Sequence, residues 1–183
     1  PEKAIYVVYN ALAATATALE LGVEPSVIRE AIRTVLPVHG RKVRLNFNGE
    51  EGFLSLIKNP AGANVTLDLL RELEEPYQIL FGMNNNPPDG LDTSWFREIA
   101  LDSLADTPLR AVFITGGAAE TFFSVAEEKL PAVRTEMGSL EEMIDEMEKT
   151  HIKSYFLCNY TMLAPLTDAL ERHSVGRVRT KHQ

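Results

Sequence analysis

The chain has 183 residues, 45% of them apolar and 24% charged, and its 18 Lys and Arg against 26 Asp and Glu give a net charge of −8. These values describe one to one and a half globular domains and exclude disorder, collagen-like repeats and coiled coil. The acidic balance also excludes bulk electrostatic binding to nucleic acid or anionic membrane, which rests on Lys and Arg neutralising phosphates, so no nucleic-acid partner is expected. The single cysteine, Cys158, allows no internal disulfide and no cysteine-based zinc site, and it suits a reducing cytosol, hence a cytoplasmic location.

The opening Pro-Glu-Lys in place of Met is what a processed chain or an excised fragment would show. The stretch from Ile5 to Leu21 is Ala/Leu-rich without internal Gly or Pro and ends at Gly22, which predicts a buried helix with a glycine C-cap. Asn10, three threonines and Glu20 make it too polar for a membrane span, and no transmembrane segment is expected. Pro25 suits a first helical position, and the apolar spacing after it predicts a second helix stopping before Pro37. The two helices form a hairpin, followed by a breaker-rich link from Leu36 to Arg41.

The period then switches to two. Val43, Leu45 and Phe47 alternate with polar residues, Asn48-Gly49 signals a tight turn, and Phe53 to Ile57 supplies the second strand of an antiparallel pair. Beyond it the sequence predicts helix 64–73, strand 77–81, helix 93–104, strand 110–115, helix 118–130, strand 132–136, helix 139–149, strand 155–158 and helix 162–172. Strands alternating with helices of this length indicate right-handed βαβ units and an α/β, Rossmann-like, mostly parallel sheet flanked by helices. The expected division is a helical segment over 1–38, an α/β domain over 39–173 and a basic tail over 174–183 carrying Arg177, Arg179, Lys181 and His182, a solvated end.

In such sheets, ligands gather beyond the carboxyl ends of the strands. Those ends are Lys58 to Gly62, Gly82 to Gly90, Gly116-Gly117 and Asn159-Tyr160-Thr161. The loop from Gly82 to Asp92 holds three consecutive Asn, two Pro and an Asp-Gly, a composition that structures a polar loop. It is either a plain turn or the presenter of a carboxylate, Asp89 or Asp92, able to orient a histidine or hold a cation; spacing alone leaves both open. Lys58 follows a strand and opens a helix, where it either is solvated or holds an anion. Neither G-x-G-x-x-G, a P-loop nor a G-x-S-x-G elbow is present. The four histidines lack helical pairing, so a histidine-based metal site is not expected, and Cys158 in an apolar strand reads as a small buried hydrophobe.

Three stretches in the same order resemble the Mur ligase superfamily, and within it the carboxy-terminal domain of the MurT-type subunit of lipid II isoglutaminyl synthase. Tyr9-Asn10-Ala11-Leu12-Ala13-Ala14 with Pro37-Val38-His39-Gly40-Arg41 is similar to the end of the Mur ligase central domain and its junction with the next domain. Leu56-Ile57-Lys58-Asn59-Pro60-Ala61-Gly62 resembles the LxKNPAG segment of the MurT type. Asn84 to Trp95 is similar to its NDNxADGxDxSW loop, and Tyr160-Thr161 matches the pair after the last strand.

The resemblance implies part of an ATP-dependent carbon–nitrogen ligase that amidates the D-glutamate of lipid II, or of a related glutamate-bearing peptidoglycan precursor, to D-isoglutamine. Ammonia would come from a class I amidotransferase-like glutaminase subunit. ATP and magnesium belong to the full-length subunit, with no cofactor and no activity expected of this chain alone. By position, Asn10 would approach the adenine and Arg41 the ribose and phosphates; Lys58 and Asn59, with Tyr160 and Thr161, would face the acceptor or acyl-phosphate. Asp92, or else Asp89, would orient the glutaminase histidine and complete a Cys-His-Asp triad. Departures from the pattern are Phe96-Arg97-Glu98 after Ser94-Trp95, Val7 in place of an asparagine, and Gly116-Gly117-Ala118-Ala119 where Gly-Glu-Arg-Ala is expected. Two other readings are a non-catalytic domain that docks a glutamine-amidotransferase-like protein and a stand-alone nucleotide-binding domain.

Overall fold

A computed structural model describes residues 5–34 and 43–173, which fall into two compact units, one within 1–38 and one within 39–183. The link at 35–42, with His39 and Arg41, and the tail at 174–183 lie outside the described residues.

The first unit is a helical hairpin of α1 (Ile5–Glu20) and α2 (Pro25–Thr34). A Schellman pair ends α1, with the Gly22 N–H donating to Leu19 O and the Val23 N–H to Ala18 O. The expectation of a buried first helix is corrected: Val8, Tyr9, Leu12 and Leu19 of α1 are each at least half exposed. A two-helix hairpin covers only one side of each member, so an apolar helix keeps its other sides uncovered within its own unit.

The second unit is built on a six-stranded sheet in the order β1-β2-β6-β3-β4-β5. β1 (Val43–Phe47) and β2 (Glu50–Leu56) form the antiparallel hairpin, turning at Asn48-Gly49 with φ of 52° and 89°. Asn48 Nδ2 donates to the carbonyls of Glu148 and Thr150, fastening the turn to the end of α5 (Leu140–Glu148). β6 (Lys153–Cys158), β3 (Tyr77–Gly82), β4 (Leu109–Thr115) and β5 (Arg134–Met137) continue the sheet in parallel.

Alternate side chains serve two cores. Ile79, Phe81, Val112, Ile114, Tyr155 and Leu157 pack under α3 (Pro60–Arg71) and α4 (Ala119–Lys129). Leu80, Phe113 and Phe156 pack on the other face under α5 and α6 (Tyr160–His173). Each fully buried phenylalanine contributes about 1.5–3 kcal/mol by removal from water, and the near-continuous burial of β3 and β4 follows from coverage of both faces.

The helix expected at 93–104 is replaced by two 3₁₀ segments, Ser94–Glu98 and Leu101–Leu104. Side chains take the backbone groups that a continuous helix would pair internally. Asn64 accepts from Ala100 N–H and donates to Glu98 O, while Lys129 Nζ donates to the carbonyls of Arg97 and Ile99.

A hydroxyl hub at the carboxyl edge of the sheet

The parallel strands β2, β6, β3 and β4 all deliver their carboxyl ends to one edge, where four loops meet. Asn159, directly after β6 and only 3% exposed, joins the two central strands there. Its Nδ2 donates to Asn84 O at 2.6 Å and its Oδ1 accepts from Asn84 N–H at 3.1 Å, so one side-chain amide continues the backbone ladder past the strand ends. The Asn84 side chain points both ways from this joint. Its Oδ1 accepts from Gly117 N–H at 2.7 Å, after β4, and its Nδ2 donates to Thr161 Oγ1 at 2.8 Å.

Thr161 is the hub of the edge. A hydroxyl offers one donor and two lone pairs, and all three are used: Oγ1 accepts from Asn84 Nδ2 and from Asn86 Nδ2 at 3.0 Å, and donates to Asp89 Oδ2. The other carboxylate oxygen of Asp89 accepts from Thr161 N–H at 2.9 Å. Asp89 therefore caps the amino end of α6 from a loop some seventy residues earlier in the chain, a favourable place for negative charge.

The loop positions separate into inward and outward groups. Asp89 is half-buried with both oxygens engaged by Thr161, whereas Asp92 is exposed. Asp92 accepts from Ser94 N–H at 2.8 Å and from Ser94 Oγ at 3.0 Å, and those two hydrogen bonds hold its carboxyl below the usual aspartate range. It is thus an ionised carboxylate on the solvent side of a pinned loop. Beside it, Leu91 is 71% exposed.

At the β2 end, Asn59 caps α3, its Oδ1 accepting from Gly62 N–H at 2.8 Å, with Pro60 opening the helix. Exposed Lys58 lies with Nζ 5.4 Å from the ring centroid of exposed Tyr160, the first residue of α6. Tyr160 and Thr161, expected in a loop, thus form the first turn of α6.

The edge thus sets Lys58 beside Tyr160, Asn59 at the cap of α3 and Asp89 on Thr161, while Asp92 stands further along the loop with its contacts on Ser94. Asn10 is exposed on α1 in the other unit, and Arg41 falls outside the described residues. Cys158 is fully buried, and desolvation, with a smaller push from Asp89, raises its thiol to about 12. The bridging role of Asn159 escapes sequence reasoning because it depends on β6 lying next to β3. A cluster of His173, Asp145 and Glu148 escapes it too: their potential ligand atoms lie within 4.8 Å of one another. It lies toward the opposite edge, where α5 and α6 end, and His173 Nε2 there meets Glu141 at 2.8 Å.

Residues 56–163, well over half of the chain, match the family described as MurT ligase C-terminal. The chain belongs to that family. The MurT subunit of lipid II isoglutaminyl synthase (glutamine-hydrolyzing) from Staphylococcus aureus strain COL is 30% identical over 171 residues, covering 92% of this chain and 39% of that protein. Its counterpart from Streptococcus pneumoniae is 28% identical over 176 residues, covering 94% and 39%. The chain thus spans 39% of the length of these curated relatives.

The fold of this MurT-type domain is similar to UDP-N-acetylmuramate-alanine ligase MurC from Thermotoga maritima, with a TM-score of 0.69 at 13% identity, covering 94% of this chain and 37% of that one. It is also similar to folylpolyglutamate synthase from the same organism, with a TM-score of 0.62 at 17% identity, covering 92% and 39%. The α/β, Rossmann-like, mostly parallel sheet flanked by helices that is expected from the alternation of elements is the one observed. Among the described residues, no helix is long and apolar enough to cross a membrane.

Proposed function

We propose that this chain is the carboxy-terminal part of the ligase subunit of a cytoplasmic, ATP-dependent amide ligase. The reaction converts the D-glutamate of lipid II, or of a related peptidoglycan precursor, to D-isoglutamine with ammonia from a glutaminase partner. Glutamine and water give glutamate and ammonia in the partner; carboxylate, ATP and ammonia then give amide, ADP and phosphate.

The observation that carries this reading is the contrast between the two aspartates on a MurT-type loop: Asp89 is bound into the edge and Asp92 is held outward as an ionised carboxylate. A carboxylate so placed does for a partner histidine what the third member of a triad does. It fixes the tautomer that leaves the other ring nitrogen free to take the cysteine proton, and it stabilises the imidazolium that results.

Lys58, above Tyr160, supplies positive charge at the same edge, where with Asn59 it would hold the carboxyl group under activation. ATP, when bound, supplies the phosphoryl group that activates the carboxyl, with Asn10 and Arg41 as this chain's contributions to its site. Arginine suits that role because its fork geometry matches phosphate. Magnesium would enter with ATP in the full-length subunit; among the described residues, the cluster with metal-ligand spacing, Asp145, Glu148 and His173, shares no residue with this edge.

The test is Asp92→Asn in the complete two-subunit enzyme. Glutamine-dependent amidation should fall about 100-fold or more, as for loss of a triad carboxylate, while amidation with added ammonium chloride proceeds at the wild-type rate. Normal glutamine hydrolysis by this variant would remove the triad role and leave a docking domain.

A further inference from the structure

We propose that Thr161 is a positioning residue for glutamine hydrolysis in the partner, acting through the loop that carries Asp92; the inference rests on the role given to Asp92 above. The proposal comes from the hydrogen-bonding capacity of one hydroxyl. Thr161 Oγ1 receives Asn84 and Asn86 and donates to Asp89, so three separate loop positions converge on a single atom. The Thr161 N–H takes the remaining Asp89 oxygen.

The hub itself stands on rigid ground. Thr161 lies in the first turn of α6, whose Leu166, Ala169 and Leu170 are buried against the sheet, and it follows Asn159, which locks β6 to Asn84. Between the last hub contact, Asp89, and the Asp92–Ser94 turn there are only Gly90 and Leu91. The direction of the Asp92 carboxylate is therefore set by where Asp89 is held, and Asp89 is held by Thr161. With its hydroxyl capacity filled by the loop, the Thr161 side chain is committed to the protein rather than to a bound acceptor.

Substitutions separate the contributions. Thr161→Val keeps size and shape but leaves the Asn84 and Asn86 amides and one Asp89 oxygen without their partner. Thr161→Ser retains the hydroxyl. Asp89→Asn adds a third N–H donor around an oxygen with two lone pairs, so one amide must let go. In the complete two-subunit enzyme, Thr161→Val should lower kcat for glutamine hydrolysis about 10- to 100-fold, the scale expected when a reacting group is displaced by about 1 Å, with KM for glutamine unchanged. Asp89→Asn should act in the same direction and Thr161→Ser should restore hydrolysis. The pH profile of kcat should be displaced in the same sense in Thr161→Val as in Asp92→Asn, which a purely structural defect would not do.

Normal hydrolysis in Thr161→Val, with Asp92→Asn impaired, would overturn the positioning role while leaving the function intact. Normal hydrolysis in Asp92→Asn would overturn the function itself. Loss of ammonium-driven amidation in Thr161→Val, with hydrolysis retained, would assign the threonine to acceptor binding and overturn the proposal. If Thr161→Val fails to assemble with the partner, Asp89→Asn decides: full hydrolysis by that variant overturns the proposal.

Discussion

Gly116 stands where β4 leaves the sheet, and replacing it with alanine tests whether that corner builds the site. Its φ is 105°, outside the region open to ordinary L residues. A methyl built on it would sit 2.8 Å from the Met83 carbonyl carbon, closer still to its oxygen, and 2.9 Å from Asn84 Oδ1. The conformational cost is about 1–2 kcal/mol. Relief of the overlap requires moving backbone, and the atoms in the way accept two hydrogen bonds: Ala118 N–H to Met83 O at 2.9 Å and Gly117 N–H to Asn84 Oδ1 at 2.7 Å. Weakening both adds about 1–3 kcal/mol, for a total of about 2–5 kcal/mol. Gly49 is the control, with φ of 89° but nothing within 4 Å of an added methyl, so Gly49→Ala should cost only the conformational part, about 1–2 kcal/mol. In thermal unfolding at about 2–4 °C per kcal/mol, Gly116→Ala should melt well below Gly49→Ala. Equal melting temperatures for the two variants would refute the argument that the Met83–Gly116 approach is a steric constraint.

Asn159→Leu strips the bridge from a buried position and leaves both backbone groups of Asn84 unpaired, so urea unfolding should show a loss of about 2–4 kcal/mol; a loss below about 1 kcal/mol would mean that the strand ends hold without it. Cys158, with its thiol pushed up to about 12 by burial, should resist iodoacetamide at pH 8 in the folded chain and react once the chain unfolds; rapid labelling of folded protein would contradict its placement. His173 is held above the usual histidine range, chiefly by its hydrogen bond to Glu141 and further by Glu148. A raised folded value means that its stabilisation is complete below the unfolded value of about 6.5 and is lost as pH rises through the folded value. His173→Gln should remove that pH dependence, and an NMR titration of His173 with a midpoint at or below 6.5 would exclude the ion-pair cluster.

The sheet is legible in the sequence because its signal is local. Val43, Leu45 and Phe47 alternate, Asn48-Gly49 turns, and each later apolar run is bounded by a helix-length segment. What is not legible depends on pairs of residues distant in sequence. Nothing near positions 93–104 announces that Asn64 and Lys129 take the backbone groups there, so the propensity reading yields one helix where two 3₁₀ segments form. The same holds for the site. Composition marks the loop from Gly82 to Asp92 as polar and structured, yet it leaves Asp89 and Asp92 equivalent. The distinction appears only when β6 lies beside β3 and Thr161 meets Asp89. For α1, apolar content states a demand for burial, and the hairpin alone does not meet it.

Frame and loop answer to different constraints, which explains how the chain departs from its family's motifs without losing its architecture. A parallel sheet asks for buried apolar side chains at alternating positions, a demand that many sequences meet, and the fold is accordingly shared with proteins only 13–17% identical. The edge asks for a count of donors and acceptors, which few substitutions preserve. Positions 117 and 118 show the difference. Where the resemblance expects glutamate and arginine, this chain has Gly117 and Ala118, yet the Gly117 N–H donates to Asn84 Oδ1 and the Ala118 N–H to Met83 O. Both contributions come from the backbone and are indifferent to side chain. Ala118 is 4% exposed within the core, so a guanidinium there would need a path to water or to a bound anion. The corner therefore stands on backbone hydrogen bonds, while one cation that the resemblance places at the edge is gone, and Lys58 supplies positive charge on the opposite side of Asn159 and Asn84. Substrate preference, rather than folding, is what such a change can alter.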